Sequence, residues 1–269
     1  GLYLHIPFCK QACSYCDFYF VTRKQQRADF VEALILEITS YQNDPVSRQP
    51  VQTIYLGGGT PSLLYADELK QVFEAIHKIF HTDNLIEVTM EVNPDDVNRS
   101  YLKDLKALGI NRLSMGVQSF NDEVLNFMHR AHNSEHARNC LQMIKESEFD
   151  SWSADLIYGN PGQTTDMLLE DIEIMLSYEP PHISAYSLTI EDKTRLGKAV
   201  SLGKIQPPED EEVIRHYDLV FDELGKAGYH QYEISNYARP GSEAVHNSNY
   251  WKHVNYLGFG PSADRKSVV

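Results

Sequence analysis

The strongest constraint on the fold is an alternation of short apolar runs with amphipathic runs, repeated six times before residue 190. The apolar runs have the length of strands and lie at residues 2–6, 53–56, 86–92, 112–117, 153–158 and 183–188. The amphipathic runs have helical periodicity and lie at residues 27–41, 66–80, 100–108, 122–128, 134–146 and 166–177. This order predicts a parallel sheet with right-handed crossovers, in which several strands are apolar on both faces. Periodicity alone leaves open whether the sheet is doubly wound or an incomplete (β/α) barrel, although six units favour the barrel.

The pattern changes after residue 190, so we divide the chain into a core, residues 1–190, and a second region, residues 191–269. Residues 189–208 carry charges, glycines and a proline pair, and we predict a loop there. A long helix is predicted at Asp210–Lys226, because acidic residues suit the positive end of a helix dipole. A further strand is predicted at residues 231–237, and residues 261–269 show no closing element.

Three of the four cysteines stand close together at C-x3-C-x2-C spacing, as Cys9, Cys13 and Cys16. Three thiolates suit a [4Fe–4S] cluster whose fourth iron has no protein ligand. A zinc site would need a fourth Cys or His from elsewhere, and a chain of this size does not need a disulfide framework. The remaining cysteine, Cys140, is predicted to be a small buried residue in a helix. His5 directly precedes the loop, and we expect it to position the loop.

Polar residues gather where the predicted strands end, which is where functional residues lie in a (β/α) barrel. Three glycines at positions 57–59 let a backbone approach a ligand, although a plain tight turn is an alternative. Glu91 interrupts an apolar strand, where a carboxylate is costly without a partner. Three further polar residues follow at later strand ends: Gln118, Arg130 and Asp155. Together these side chains predict the lining of a pocket for a polar ligand.

These motifs resemble the radical S-adenosylmethionine (SAM) superfamily, in which the open iron binds SAM and the reduced cluster cleaves it to a 5′-deoxyadenosyl radical. The segments H-I-P-F-C-x3-C-x-Y-C-D-F, G-G-G-T-P, E-V-N-P, G-V-Q-S-F and D-L-I-Y-G-x-P-G-Q-T look like the oxygen-independent coproporphyrinogen III oxidase family. The resemblance covers roughly residues 1–190. It implies the α/β class and a partial (β/α)6 barrel, with additional α+β elements after the sixth unit.

Carried over residue by residue, the resemblance implies that Cys9, Cys13 and Cys16 hold the cluster. It places Tyr3, Gly58 and Glu91 around the cluster-bound SAM. In the decarboxylating oxidase a second SAM is bound, and the matching positions here are Tyr15, Gly59, Thr60, Gln118, Arg130, Asp155 and Thr189.

One departure from the oxidase pattern changes the implied function. The oxidase has a fourth cysteine after the third, whereas Cys16 is followed here by Asp17-Phe18. The C-D-F ending resembles the heme chaperone (HemW) branch, in which case the second-SAM positions are inherited rather than used. His246 begins H-N-S-N-Y-W, which matches a motif associated with heme binding in that branch, and histidine is a common axial ligand of heme iron. The alternative is that His246 and Trp251 brace the barrel rim.

The family continues for roughly a hundred residues past G-x-G-P-x-A-H, yet Asp264 stands here where the histidine is expected. We therefore expect either a fragment or a non-native end, with an incomplete carboxyl-terminal region. The heme site would then be incomplete as well.

Composition sets limits on location and partners. The chain is 42% hydrophobic, and no apolar run approaches membrane-spanning length, which favours a globular cytoplasmic protein. A formal net charge of −14 argues against nucleic-acid binding.

The leading hypothesis is a [4Fe–4S] protein that binds SAM and heme and delivers heme to acceptor hemoproteins, membrane-bound ones among the candidates. Its expected reductant is a flavodoxin or ferredoxin. The alternatives are enzymes: a radical SAM coproporphyrinogen III oxidase, or a radical SAM enzyme acting on another substrate.

Overall fold

Six parallel strands, each followed by helices, form the centre of the fold, as the sequence predicts. They are β1 (Leu2–Ile6), β2 (Thr53–Gly58), β3 (Glu87–Val92), β4 (Arg112–Gln118), β5 (Ser151–Tyr158) and β6 (His182–Ser187), each paired with its neighbour in sequence. The structure, a computed structural model, describes residues 1–147 and 149–264. For the six strands and the helices between them, the predicted bounds agree with the structure within about two residues.

Four of the six helices between the strands begin at a residue whose side chain caps the helix. The six are α1 (Arg27–Thr39), α2 (Ala66–Ile79), α3 (Arg99–Ala107), α4 (Asp122–Phe127), α5 (Ser134–Lys145) and α6 (Thr165–Ser177). The side chains of Asn98, Asn121, Asn133 and Thr164 accept hydrogen bonds from backbone N–H groups of the first turns of α3, α4, α5 and α6. These bonds satisfy donors that a helix leaves unpaired at its start, which explains why the helices begin there.

We expected several strands to be apolar on both faces, and this prediction is wrong. Apolar residues of each strand pack into one core beneath the helices, including Leu4, Leu56, Met90, Leu113, Leu156 and Ile183. The alternate positions are polar: Tyr55, Glu91, Arg112, Ser114, Asp155 and Ser184 face a cavity inside the curved sheet. A barrel interior that holds a polar cavity requires this alternation, since buried polar groups must find partners.

The region after β6 differs in several places from its prediction. Residues 189–208, predicted as a loop, contain α7 (Arg195–Ser201), whose start is capped by the Thr194 hydroxyl. This helix of seven residues is too short to show a clear apolar period. The strand predicted at 231–237 is instead a hairpin of β7 (His230–Gln231) and β8 (Asn236–Ala238), and the Glu233 carboxylate accepts from the backbone of Ser235 in its turn.

The remaining elements are α8 (Asp210–Lys226), α9 (Val245–Trp251) and β9 (Leu257–Phe259). The long helix is confirmed, whereas β9, which pairs in parallel with β1, was not predicted. The strand order is β7-β8-β6-β5-β4-β3-β2-β1-β9, so β7 and β9 are the two edges of an open, incomplete barrel within the described residues. Of residues 261–269, those after 264 lie outside the described part. None of the described helices has the length and apolar character needed to cross a membrane.

Candidate cofactor-binding site

A cavity of about 560 Å³ opens at the carboxyl ends of the parallel strands. The three clustered cysteines line it, together with nine of the ten residues carried over for SAM: Tyr15, Gly58, Gly59, Thr60, Glu91, Gln118, Arg130, Asp155 and Thr189. The tenth, Tyr3, lines an adjoining cavity of about 320 Å³ and shares a hydrogen bond with His5. Asp17 and Phe18, which replace the fourth cysteine of the oxidase pattern, line both cavities.

The cysteine loop is anchored by backbone contacts from three directions. The Cys9 amide donates to the carbonyl of Val21, at 3.0 Å, and the Ser14 amide donates to Met128 just after α4, also at 3.0 Å. The Ser14 carbonyl accepts from the amide of Leu196 in α7, at 2.8 Å. His5 Nε2 bonds the carbonyl of Tyr19, three residues after the loop, at 2.8 Å, and its role in positioning the loop stays a prediction. The loop therefore takes its shape from distant parts of the chain.

The thiols are partly buried and face hydrogen-bond donors. The Thr60 hydroxyl lies 3.6 Å from Cys9 Sγ, and the Arg130 guanidinium lies 3.5 Å from Cys13 Sγ. Burial raises the pKa of Cys9, and raises that of Cys16 to about 11. The positive charge of bound iron would favour the thiolate forms of Cys9 and Cys16, as it does for metal-binding cysteines generally.

The thiols also bear on the choice between a cluster and a single ion. Within residues 1–147 and 149–264, no group of three or more His, Cys, Asp or Glu side chains is arranged to hold one metal ion. Ligands of a zinc ion converge on one point, whereas each thiolate of a [4Fe–4S] cluster binds a different iron. Three thiolates at C-x3-C-x2-C spacing are the donor set expected for a [4Fe–4S] cluster with an open iron.

The glycine run lies against the backbone that leads into the cysteine loop. A Cβ on Gly59 would lie 2.8 Å from the carbonyl oxygen of Phe8, and one on Gly58 would lie 2.6 Å from the His5 ring. Gly58 also has a φ of +109°, which side-chain-bearing residues rarely adopt. The run is thus required by the packing of the protein itself, and it also forms one wall of the cavity.

Two carboxyl groups inside the cavity have raised pKa values. Glu91 accepts from the Tyr55 hydroxyl at 2.8 Å and from the Gly58 amide at 3.2 Å. Burial, with the charge of Asp155 nearby, raises the pKa of Glu91 to about 7. Burial likewise raises the pKa of Asp155 to about 6, although Ser184 and other donors oppose the shift. At neutral pH the Glu91 carboxyl can therefore accept or donate a hydrogen bond, whereas Asp155 is mostly ionised and accepts.

Arg130 joins the cysteine loop to two strand ends. Its guanidinium donates to Asn93 Oδ1 at 2.8 Å and to the Gly116 carbonyl at 3.0 Å, besides approaching Cys13. Six buried polar atoms of residues that line this cavity have no partner among the described atoms, and they include Gln118 Oε1, Arg130 Nε and Asp155 Oδ1. Buried polar atoms are normally paired, so this mix of donors and acceptors fits a polar ligand such as SAM.

Several residues of the site were not singled out from the sequence. Asn93, Tyr55 and Arg112 line the cavity, and Lys10 forms an ion pair with Asp95 that holds the cysteine loop to the end of β3. The alternation of polar residues along β2 and β4 was the available signal for Tyr55 and Arg112. No sequence signal pointed to Lys10, because its partner is distant in the chain.

His246 lies at the side of the barrel, on α9, and is 2% exposed. Its Nδ1 bonds the Thr53 hydroxyl at 2.9 Å and its Nε2 bonds the Tyr250 hydroxyl at 3.0 Å. Burial lowers the pKa of His246 to about 3, so the ring is neutral. Glu87 holds the start of α9 through the backbone amides of residues 245 and 246. These contacts suit the bracing alternative, and a role of His246 as heme ligand stays a prediction.

The fold and the cavity define a radical SAM protein. The family model of the radical SAM superfamily matches residues 3–175. Among solved structures, the coproporphyrinogen III oxidase HemN from Escherichia coli, a radical SAM enzyme, is similar with a TM-score of 0.83 and 27% identity. The similarity covers 98% of this chain and 63% of that one.

Curated relatives narrow the family further. The heme chaperone HemW of Bacillus subtilis is 38% identical over 97% of this chain and 69% of its own length. The heme chaperone HemW of Lactococcus lactis is 37% identical, over 97% of this chain and 68% of its own length. The chain therefore belongs to the radical SAM superfamily and, within it, to the family of the heme chaperone HemW.

Proposed function

We propose that the protein is a heme chaperone of the radical SAM type, which holds a [4Fe–4S] cluster, binds SAM and heme, and passes heme to acceptor hemoproteins. The observation that carries the proposal is that three cysteines and nine carried-over SAM positions line one cavity. The cytoplasm is the compartment we propose, with flavodoxin or ferredoxin as the electron donor.

The cluster would be held by Cys9, Cys13 and Cys16. When bound, such a cluster would offer SAM an iron that has no protein ligand, and it would supply the electron that reduces SAM. Around it, Arg130 and Thr60 donate toward the sulfurs at 3.5 and 3.6 Å, which stabilises negative charge there.

SAM would lie along the wall formed by Gly58 and Glu91. The Glu91 carboxylate suits the positively charged amino group of SAM, because an opposite charge favours its ionised form. Gln118, Asp155 and Arg130 match second-SAM positions of the oxidase, and we propose that they are used here for the remaining polar groups of a single SAM, since each has an unpaired buried atom in the cavity.

Two features outside the wall formed by Gly58 and Glu91 support heme handling. The C-D-F ending puts Asp17 and Phe18, rather than a fourth cysteine, between the two cavities. The H-N-S-N-Y-W segment forms α9, and its aromatic end is open to solvent, with Trp251 64% exposed. Exposed aromatic side chains of this kind can pack against a porphyrin face.

A second candidate is oxidation of coproporphyrinogen III, favoured by the similarity to HemN over 98% of this chain. The absence of a fourth cysteine after Cys16 argues against it. Anaerobic conversion of coproporphyrinogen III to protoporphyrinogen, with release of 5′-deoxyadenosine, would establish the enzyme and displace the chaperone.

The proposal is tested by anaerobic reconstitution followed by parallel measurements of iron content, SAM binding and heme binding. We expect about four irons per chain. They should be lost in Cys13→Ser and kept in Cys140→Ser, since Cys140 is buried in α5 and does not line the cavity. We also expect heme to bind with a Soret band and to move to an apo-hemoprotein such as apomyoglobin. A chain that holds its cluster but never binds heme would refute the chaperone role.

The heme ligand is tested separately. If His246 is the ligand, His246→Ala weakens the Soret band. Unchanged heme binding in that variant would remove His246 from the proposal and leave the chaperone role standing.

A further inference from the structure

Gln118 has a strained backbone at the edge of the cavity. Its φ of +72° lies in the left-handed region, which is unusual for a residue with a side chain. The strand β4 also loses its regular pairing with β5 between Met115 and Gln118. The side chain of Gln118 is buried in the cavity, and its Oε1 has no partner among the described atoms.

Strain of this kind persists only where neighbouring groups fix the backbone on both sides. Before Gln118, the Val117 carbonyl accepts from His132 Nε2 at 2.9 Å. After it, the carboxylate of Asp171 takes two bonds, from the Ser119 hydroxyl at 2.7 Å and from the Phe120 amide at 2.6 Å. The strained residue is thus held between two sets of hydrogen bonds.

Asp171 lies outside the cavity, on α6, and is 2% exposed. Among the described residues no Lys, Arg or His forms an ion pair with it, so its only described partners are the two groups of the β4–α4 turn. Burial raises the pKa of Asp171 to about 6, although its two hydrogen bonds and the charge of Arg138 oppose the shift. A simple apolar core position would avoid this cost.

We propose that Asp171 is a positioning residue that holds Gln118 in its strained conformation, so that the Gln118 amide points into the cavity to meet SAM. This role rests on the proposed binding of SAM in the cavity. It predicts that Asp171 affects SAM only through Gln118.

A double-mutant cycle tests this, with SAM affinity measured by calorimetry on the reconstituted full chain. We expect Asp171→Asn to weaken SAM binding about tenfold in the wild-type background, and less than about twofold in a Gln118→Ala background, because coupled residues are not additive. Glu173→Gln, an exposed acid on the same helix, is the control and should change nothing. If Asp171→Asn does not fold, Ser119→Ala removes one of the two bonds and should show the same dependence on Gln118.

Three results would count against the role. Equal losses of affinity in both backgrounds, or a lower melting temperature with unchanged SAM affinity, would make Asp171 a purely structural residue. A wild-type chain that holds its cluster without binding SAM would refute the proposed function itself, and with it this role.

Discussion

Replacing Glu91 by glutamine should stabilise the chain in the absence of cluster and SAM, and the gain should grow with pH. The pKa of this carboxyl is raised from its ordinary 4.5 to about 7, mainly by burial. A raised pKa in the folded state means that the native protein binds the proton more tightly than the unfolded chain does. The native state is therefore progressively destabilised as the pH rises from 4.5 to 7.

The size of the effect follows from the shift. Linkage gives a cost of about 0.8 kcal/mol at pH 5 and about 3 kcal/mol at pH 8. A neutral glutamine keeps one acceptor for Tyr55 or Gly58 and avoids this cost. The free energy of unfolding should thus rise by about 2 kcal/mol more at pH 8 than at pH 5, or about 5 °C in melting temperature for a chain of this size.

Urea unfolding of the wild type and of Glu91→Gln at both pH values measures this difference. Glu173→Gln, at an exposed site, is the matched control and should stay within about 0.5 kcal/mol of the wild type at either pH. A Glu91→Gln protein that is less stable than the wild type at pH 8, or a gain that is independent of pH, would contradict the reasoning. The same variant should bind SAM more weakly, since it removes the negative charge that faces the amino group.

Three further changes follow from the contacts of the site. Gly59→Ala should destabilise the folded chain by about 1–3 kcal/mol and lower its iron content after reconstitution, because the added Cβ meets backbone atoms. Gly225→Ala is the control: it has open space around it in a helix, so it should be neutral or stabilising. Arg130→Met should lower the free energy of unfolding in urea by about 2–3 kcal/mol, because it leaves the Asn93 and Gly116 acceptors unpaired. An Arg130→Met chain as stable as the wild type would show that these hydrogen bonds do not stabilise the fold. The pKa of His246 is lowered to about 3, so this residue should cost the wild type about 3 kcal/mol of stability between pH 7 and pH 4 relative to a variant without it, as the unfolded chain gains a proton that the native chain rejects. Over the same interval Glu91 acts in the opposite direction, so the contribution of His246 is read from the difference between the two proteins. His246→Gln should lose less over this interval, and equal acid sensitivity of the two proteins would refute the burial argument.

The sequence predicted the elements whose signal is local. The six β-α units and the long helix α8 each carry a full period of apolar or amphipathic residues, so their bounds could be given within about two residues. The cysteine spacing and the glycine run likewise marked one wall of the cavity. Each of these features depends on residues that are close in the chain.

The features that the sequence could not give depend on distant partners. The strand β9 has three residues and exists because β1 offers a free edge, while α7 is fixed partly by its bond to Ser14. Likewise, the H-N-S-N-Y-W motif suggests a heme ligand and gives no sign that His246 is bonded to Thr53 and Tyr250. Burial of both ring nitrogens is a tertiary property, and no spacing rule predicts it.

The anchoring of the cysteine loop has a consequence for the order of events during folding. Ser14 receives its two backbone partners from Met128 and Leu196, so the loop lacks its final shape until the chain through α7 has been made and has folded. Contacts of such long sequence separation form late, because closing large loops costs entropy before it brings any gain. During synthesis the three thiols are therefore exposed and unshaped for most of the time the ribosome needs to make the barrel. We expect that iron delivered to the nascent chain finds no site, and that the cluster is inserted only into the finished fold.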